Sequence, residues 1–368
     1  MKKIITGILI IYCFLVSCYK PYEANIDAEE KILVVDGMIT NELASYRIRL
    51  SYAMSFYSEP GFVPVTSASV YVTDDLDNTY QFKLSTDRSY KSDSLKFTGI
   101  PGRTYTLYIE TPDGFCYMSD PQRLCPEYQL DTIYSITDYQ KTLSRFNKVY
   151  STIRGANLVL NINSDSDTLP HFRFNSNFLR LYNYINSRGR VDYMLYCWST
   201  DNTVLDINLT HNEYSNDFFS VNQHAVYFVD DKINIYLTEY ELDTLPPYNL
   251  FIPGKSELHP IAHRILFLDQ YSLNNETFLY YKRMDDLLSS EGKLFDPIAV
   301  QLRGNIHCTS NSGEKVFGFF EASSVSRTAY KIGFRAFNDQ FAVTKVPYIL
   351  PDEPNGCWKD IVPPFWIK

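Results

Sequence analysis

The residue whose surroundings point most directly to chemistry is Cys18. It closes the segment Leu15-Val16-Ser17-Cys18, at the end of an almost wholly apolar run from Ile4 to Val16 that follows Lys2 and Lys3. A basic start, a short apolar stretch and small residues before a cleavage point make a secretory signal. Leu-Val-Ser-Cys resembles a bacterial lipobox, in which the cysteine thiol is acylated and cleavage makes that cysteine the new N-terminus. The run of 13 residues spans about 20 Å as a helix, short of the roughly 20 residues that a bilayer-crossing helix needs. The alternatives are an ordinary secretory signal that contains Cys18, or an uncleaved anchor. Each buried CH₂ contributes about 0.8 kcal/mol, and stable anchoring takes more than one chain; a triacylated Cys18 meets that requirement.

Cleavage before Cys18 removes Cys13, the lipid uses Cys18, and Cys116, Cys125, Cys197, Cys308 and Cys357 remain. Beyond the inner membrane the compartment is oxidising, so disulfides are permitted, and an odd count leaves at least one thiol unpaired. Cys116 and Cys125 flank the turn signal Asp120-Pro121, which makes them one candidate pair. Cys308 and Cys357 are the other, and Cys197, beside Trp198, is then a buried free thiol. No C-x-x-C spacing exists to hold zinc. His259 and His263 stand four apart, but Pro260 occupies the position where a metalloprotease helix needs Glu and weakens the helix itself. Ordinary surface or strand histidines are the better reading. DDLDN (74–78) clusters carboxylates without the central Gly and distal Glu of a calcium loop, so it reads as a solvated hairpin turn.

No G-x-S-x-G elbow, phosphate loop or Gly-rich dinucleotide turn occurs. A pair of distant carboxylates could still meet, as in a glycan hydrolase, where they stand roughly 5–10 Å apart. No catalytic residue, metal or cofactor is assigned. Tyr193, Tyr196 and Trp198 cluster after Phe172, Phe174 and Phe178, and such rings can stack on sugars or grip peptides. On an alternating strand half of them must face a core, which favours packing over ligand contact.

These groups have to be positioned by strands. SYRIRLS (45–51) puts Tyr46, Ile48 and Leu50 on one face; SVYVTD (69–74) does the same for Val70 and Val72, YQFKL (80–84) for Tyr80, Phe82 and Leu84, and TYTLYIE (104–110) for Tyr105, Leu107 and Ile109. With the apolar run KILVVDG (31–37) and the strand FCYMS (115–119) after a Pro-Asp-Gly turn, period-two alternation predicts an immunoglobulin- or transthyretin-like β-sandwich over 31–125. Residues 126–368 read as a larger β-rich domain, with apolar runs at 157–162, 171–175, 192–198, 224–229, 233–238 and 263–268. One amphipathic helix is predicted near 273–291. It is capped by Ser272, carries a stripe of Thr277, Tyr280 or Tyr281, Met284, Leu287 and Leu288, and stops at Gly292. Strands at 300–306 and 315–323 follow, and the tail from Pro347 reads as irregular chain. Residues 1–17 are the signal peptide and 18–30 a polar tether containing Pro21.

The chain has 368 residues, of which 45% are hydrophobic and 15% aromatic, enough for packed cores and too apolar for a disordered polypeptide. Its net charge of −9 argues against a nucleic-acid partner, which calls for clustered Lys and Arg. No later segment holds 18 consecutive apolar residues, so the remainder is expected to be water-soluble and tethered. The acidic balance weakly favours neutral or cationic ligands.

Several stretches together resemble a lipoprotein family of Bacteroidota, domain-of-unknown-function family 4249. They are Cys18, LVVDGMITNE (33–42), FTGIPGRTYTLYIETPDG (97–114), QYSLNNETFLYYKRMDDLLSSEGKLFDP (270–297), RGNIHC (303–308) and VFGFFEASSVSR (316–327), with Cys197-Trp198 in the middle region. The resemblance implies an outer-membrane, lipid-anchored protein, encoded beside TonB-dependent receptors, and brings no catalytic residues with it. The function it implies is that of a non-enzymatic, surface-exposed accessory of a TonB-dependent transporter in nutrient uptake, with a small-molecule, glycan or peptide ligand. An adhesin or envelope-assembly subunit is the alternative, and a surface glycan hydrolase a third.

Overall fold

The computed structural model describes residues 31–53, 62–94, 96–128, 133–143, 150–161, 171–188, 191–201, 207–210, 223–230, 263–289, 302–335, 340–353, 355–359, 361 and 364. The signal, Cys18 and tether, the strand expected at 233–238, His259 and Gly292 lie outside these residues, as do the side chains of Tyr193, Tyr196, Cys197 and His263. The protein is mainly β. Among the described residues there are three sheets and one helix. No described helix is long and apolar enough to cross a membrane.

The first body holds β1 (Ile32–Ile39), β2 (Arg47–Ala53), β3 (Phe62–Pro64), β4 (Ser69–Asp74), β5 (Thr79–Leu84), β6 (Tyr90–Lys91), β7 (Thr104–Glu110), β8 (Cys116–Ser119) and β9 (Gln122–Arg123). Alternation decides its faces as expected: Tyr46, Ile48, Leu50, Val70, Val72, Tyr105, Leu107 and Ile109 are all buried in one core with Leu33, Val35 and Phe97. Leu84 departs from this pattern and is 48% exposed. The two layers of the expected sandwich are one 11-stranded sheet folded over that core.

Two further strands of this sheet come from far along the chain. β17 (Ile306–Cys308) pairs with β8, and β18 (Val316–Ala322) runs parallel to β1 from Leu33↔Val316 to Ile39↔Ala322. The first body therefore does not end at residue 125. The two edge strands are drawn together by Asn305, whose side-chain amide donates to the Phe320 carbonyl (2.8 Å) and whose side-chain oxygen accepts from the Phe320 N–H (2.9 Å). One amide side chain thus supplies the pair of bonds a ladder would make, and the sheet is nearly closed into a barrel.

The second body is built from β10 (Ile133–Leu143), β11 (Tyr150–Asn161) and β15 (Gln223–Asp230), which form a three-stranded sheet, packed against a seven-stranded one. The larger sheet contains β12 (His171–Arg188), β13 (Val191–Asp201), β14 (Asn208–Leu209), β16 (His263–Leu273), β19 (Ser324–Arg335), β20 (Gln340–Val346) and β21 (Asn355–Lys359). The run Ile265–Leu268 is buried throughout because β16 is central and covered on both faces. Leu266 and Leu268 meet Leu158 and Leu160 of the small sheet, while Ile265 and Phe267 meet Trp198 and Tyr348 on the other side. The tail is not wholly irregular: β21 pairs with β13.

The helix, α1 (Asn275–Ser289), starts later than the sequence pattern suggests. Ser272 is held in β16 between Phe172 and Ser324, so the chain cannot turn there. Asn274 caps instead, its side-chain oxygen accepting from the Thr277 N–H at 2.8 Å. Thr277, Phe278 and Tyr281 face inward, whereas Leu288, expected in the stripe, is 67% exposed.

Both expected disulfide pairings fail: Cys116, Cys125 and Cys308 are free thiols. Cys116 stands opposite Glu110 at one end of β7, whereas Arg123, two residues before Cys125, stands opposite Thr104 at the other. Six residues of strand put about 20 Å between them, well beyond bridging range. Among the described residues Cys357 is disulfide-bonded, and Cys308, a free thiol, is not its partner. Its register partner across the β13–β21 pair is Cys197, the residue expected to be a free thiol.

Candidate functional site

Among the described residues a dense constellation of buried polar groups lies where the two bodies meet. Arg173 of β12 sits between Phe172 and Phe174, and both rings point into the second core. Alternation sends its side chain to the opposite face, where α1 and the first body close over it. Its guanidinium carbon lies 4.2 Å from the ring centre of Tyr271 and 4.6 Å from that of Tyr281, a cation held between two aromatic faces. Nη2 reaches both carboxylate oxygens of Glu321 at 3.2 and 3.3 Å and the Met38 sulfur at 3.7 Å, and Nη1 donates to Asn175 Oδ1 at 3.1 Å. The Tyr281 hydroxyl donates to Glu321 Oε2 at 2.6 Å. Glu321 is 2% exposed and Arg173 9%.

The electrostatics follow from burial and pairing. Removal from water disfavours the Arg173 cation, but Glu321 and the two Tyr hydroxyls outweigh that and hold it firmly protonated. Burial first, then the Glu321 charge, drives the Tyr281 hydroxyl well above its ordinary value, so it stays a donor. Tyr280, stacked on Phe319 at 4.3 Å, is pushed up to about 12 by burial and by Asp36 and Glu321. The cluster commits its one carboxylate to an arginine and a tyrosine. Its chemistry is cohesion: five segments, from β1, β12, β16, β18 and α1, are stitched by charge and ring.

Around it the seam is lined by specific bonds. Gln122 is fully buried; its side-chain oxygen accepts from Asn274 Nδ2 (2.9 Å) and Thr277 Oγ1 (3.2 Å), and its Nε2 donates to Glu276 (2.9 Å). Asn41 accepts from the Val325 N–H at 2.7 Å, Arg327 pairs with Glu42 at 2.7 Å, and the Ser323 N–H donates to the Ile39 carbonyl. The segments 33–42, 270–297, 303–308 and 316–327, which carry the resemblance, all contribute residues to this seam or to the closure beside it.

Of the ring cluster for which the sequence favours packing over ligand contact, the described side chains lie in the cores. Phe172, Phe174 and Phe178 are core residues. Trp198 is 5% exposed, donates its indole N–H to the Glu353 carbonyl (2.9 Å) and packs edge-on against Trp358 at 6.2 Å. Tyr196 stands opposite Trp358 and Tyr193 opposite Asn186 in the strand register. In the 74–78 segment, Asp74 closes a β4–β5 hairpin with a buried carboxylate. Oδ1 accepts from the Leu76 and Asn78 N–H groups, and Oδ2 from Tyr80 and, at 2.6 Å, Arg103. Burial raises its pKa, but those donors outweigh burial and hold the carboxyl at about 2. The carboxylate is spent on the turn, which removes it from any cation site. Among the described residues no three His, Cys, Asp or Glu side chains are grouped to hold a metal ion.

Sequence reasoning did not find the Arg173–Glu321 pair. The signal was there in a weak form: each is a lone charge inside an apolar run, HFRFN and VFGFFEA. Such a charge marks either a wet face or a buried partner, and only the fold shows which.

Fold and seam together define a class: a mainly-β protein of two bodies, joined through a buried ionic cluster and a strand pair, β18 and β19, shared end to end. The chain belongs to the family described as Domain of unknown function (DUF4249), whose pattern matches residues 19–329. No curated protein and no solved structure matches it.

Proposed function

We propose that the protein is a lipid-anchored lipoprotein of the outer membrane, facing the cell surface, and that it acts as a non-enzymatic accessory and binding partner of a TonB-dependent transporter in nutrient uptake. The observation that carries this reading is the order of parts. An acylation-type cysteine at position 18 is followed by a short polar stretch, and Ile32 enters the first body at one pole. The second body joins at the other pole, where Ile39 meets Ser323. β1 separates the two poles by about 25 Å. An anchor at one end and a large β surface at the other is a layout for presenting that surface to a neighbour in the same membrane. The committed chemistry of the seam supports a binding role over a reactive one.

Two measurements test it. Cys18→Ser is expected to abolish palmitate incorporation and move the protein out of the membrane fraction; unchanged membrane association overturns the anchor. Affinity purification of the full lipidated protein from native membranes in mild detergent is expected to bring down an outer-membrane β-barrel receptor. Recovery as a solitary monomer overturns the partnership.

A further inference from the structure

The pole at which the chain enters the first body carries its own surface chemistry. Ile32 pairs with Ala53, and Ala53 with Phe62, so β1, β2 and β3 come level at that end. Phe62 is 63% exposed and Val63 39% exposed. Beside them the Tyr52 hydroxyl lies 3.2 Å from Asp113 Oδ2, and Lys31 is exposed one residue before β1. The 14 residues from Cys18 to Lys31 reach at most about 50 Å, and a tether of that length raises the effective concentration of this pole at the lipid surface to the millimolar range.

We infer that this pole rests on the lipid surface, with Phe62 and Val63 entering the interface at the level of the headgroups and upper acyl chains. The inference depends on the lipid anchor proposed above and adds an orientation to it. The pole presents apolar side chains beside an aromatic hydroxyl and charges of both signs, Lys31 and Lys315 with Asp113 and Glu314, a composition suited to the headgroup boundary. The opposite pole presents something different. Leu76, Leu43 and Ile100 are exposed there, at 63%, 64% and 46%, but Leu76 stands between the exposed Asp75 and Asp77, whose carboxylates oppose insertion, and Leu43 and Ile100 flank the seam, where Glu42 pairs with Arg327 and Gly99 bonds Thr40. The second body, joined at that far pole, is then held away from the bilayer.

The test places single tryptophans at the two poles of the full lipidated protein. Phe62→Trp and Leu76→Trp replace exposed side chains and leave the core untouched. Each protein is reconstituted on phosphatidylcholine vesicles with brominated acyl chains, and the fluorescence of the unsubstituted protein is subtracted. The added signal of F62W is expected to fall by about half or more, because bromines then lie within roughly 10 Å of it, and that of L76W to stay unchanged. Proteins that float with the vesicles but show no quenching at position 62, or equal quenching at both positions, overturn the orientation while the anchor stands. A protein that does not float with the vesicles overturns the anchor, and the orientation with it.

Discussion

Burying Arg173 and Glu321 together is expensive. Taking two charges out of water costs several kcal/mol each, and their attraction repays this only with good geometry and further partners. Tyr271, Tyr281 and Asn175 supply those partners. Removing one charge is therefore worse than removing both. Glu321→Ala is expected to lower unfolding stability by about 3–5 kcal/mol, because it leaves a cation buried without its carboxylate. Arg173→Met combined with Glu321→Leu is expected to recover most of that loss. Urea denaturation of the wild type, the single variant and the double variant checks both, and a double variant as unstable as the single one sinks the argument.

At the scale of elements the telling feature is the close approach of Gly304 and Gly318. A Cβ on Gly304 would lie 1.5 Å from the Gly318 carbonyl oxygen. Gly318 has φ +100°, and a Cβ there would lie 1.8 Å from the Val35 oxygen. Three backbones, from β1, β18 and the chain entering β17, thus meet where a side chain has no room. This gives a physical account of RGNIHC and VFGFFEA: the glycines let the strands touch, and Asn305 supplies the bonds that close the sheet. Gly318→Ala is expected to cost about 3 kcal/mol or more, through both backbone strain and collision. Chemical denaturation measures it, and a loss under about 1 kcal/mol would show that the strands can part without penalty.

At the scale of the whole molecule, the chain leaves the first body after β9, builds most of the second, and returns to finish the first with β17 and β18 before β19 re-enters the second. Each body is assembled from two stretches of chain that are separated in sequence. A fragment ending at residue 128 lacks the parallel partner of β1 and the antiparallel partner of β8, and it exposes Leu33, Val35 and Ile39 along an open edge. It is expected to show no cooperative thermal transition by circular dichroism. Cooperative melting near the midpoint of the full chain would show instead that 31–125 is an independent domain.

The local pattern can be read from contiguous residues alone. Alternation at 45–51, 69–74 and 104–110 selects the buried face of each strand because a pleated strand points successive side chains to opposite sides, whatever lies across from it. The lipid anchor proposed at Cys18 rests in the same way on contiguous residues. Tertiary structure decided everything that joins distant positions: that β18 lies beside β1, that Ser272 is held in a strand and leaves the cap to Asn274, that Cys357 faces Cys197 in the register, and that two lone charges 148 residues apart share one buried site. Hydrophobic period carries information about a residue's own element, whereas pairing between elements depends on the summed fit of packing, glycine clearance and charge satisfaction across the whole chain, which no local window contains.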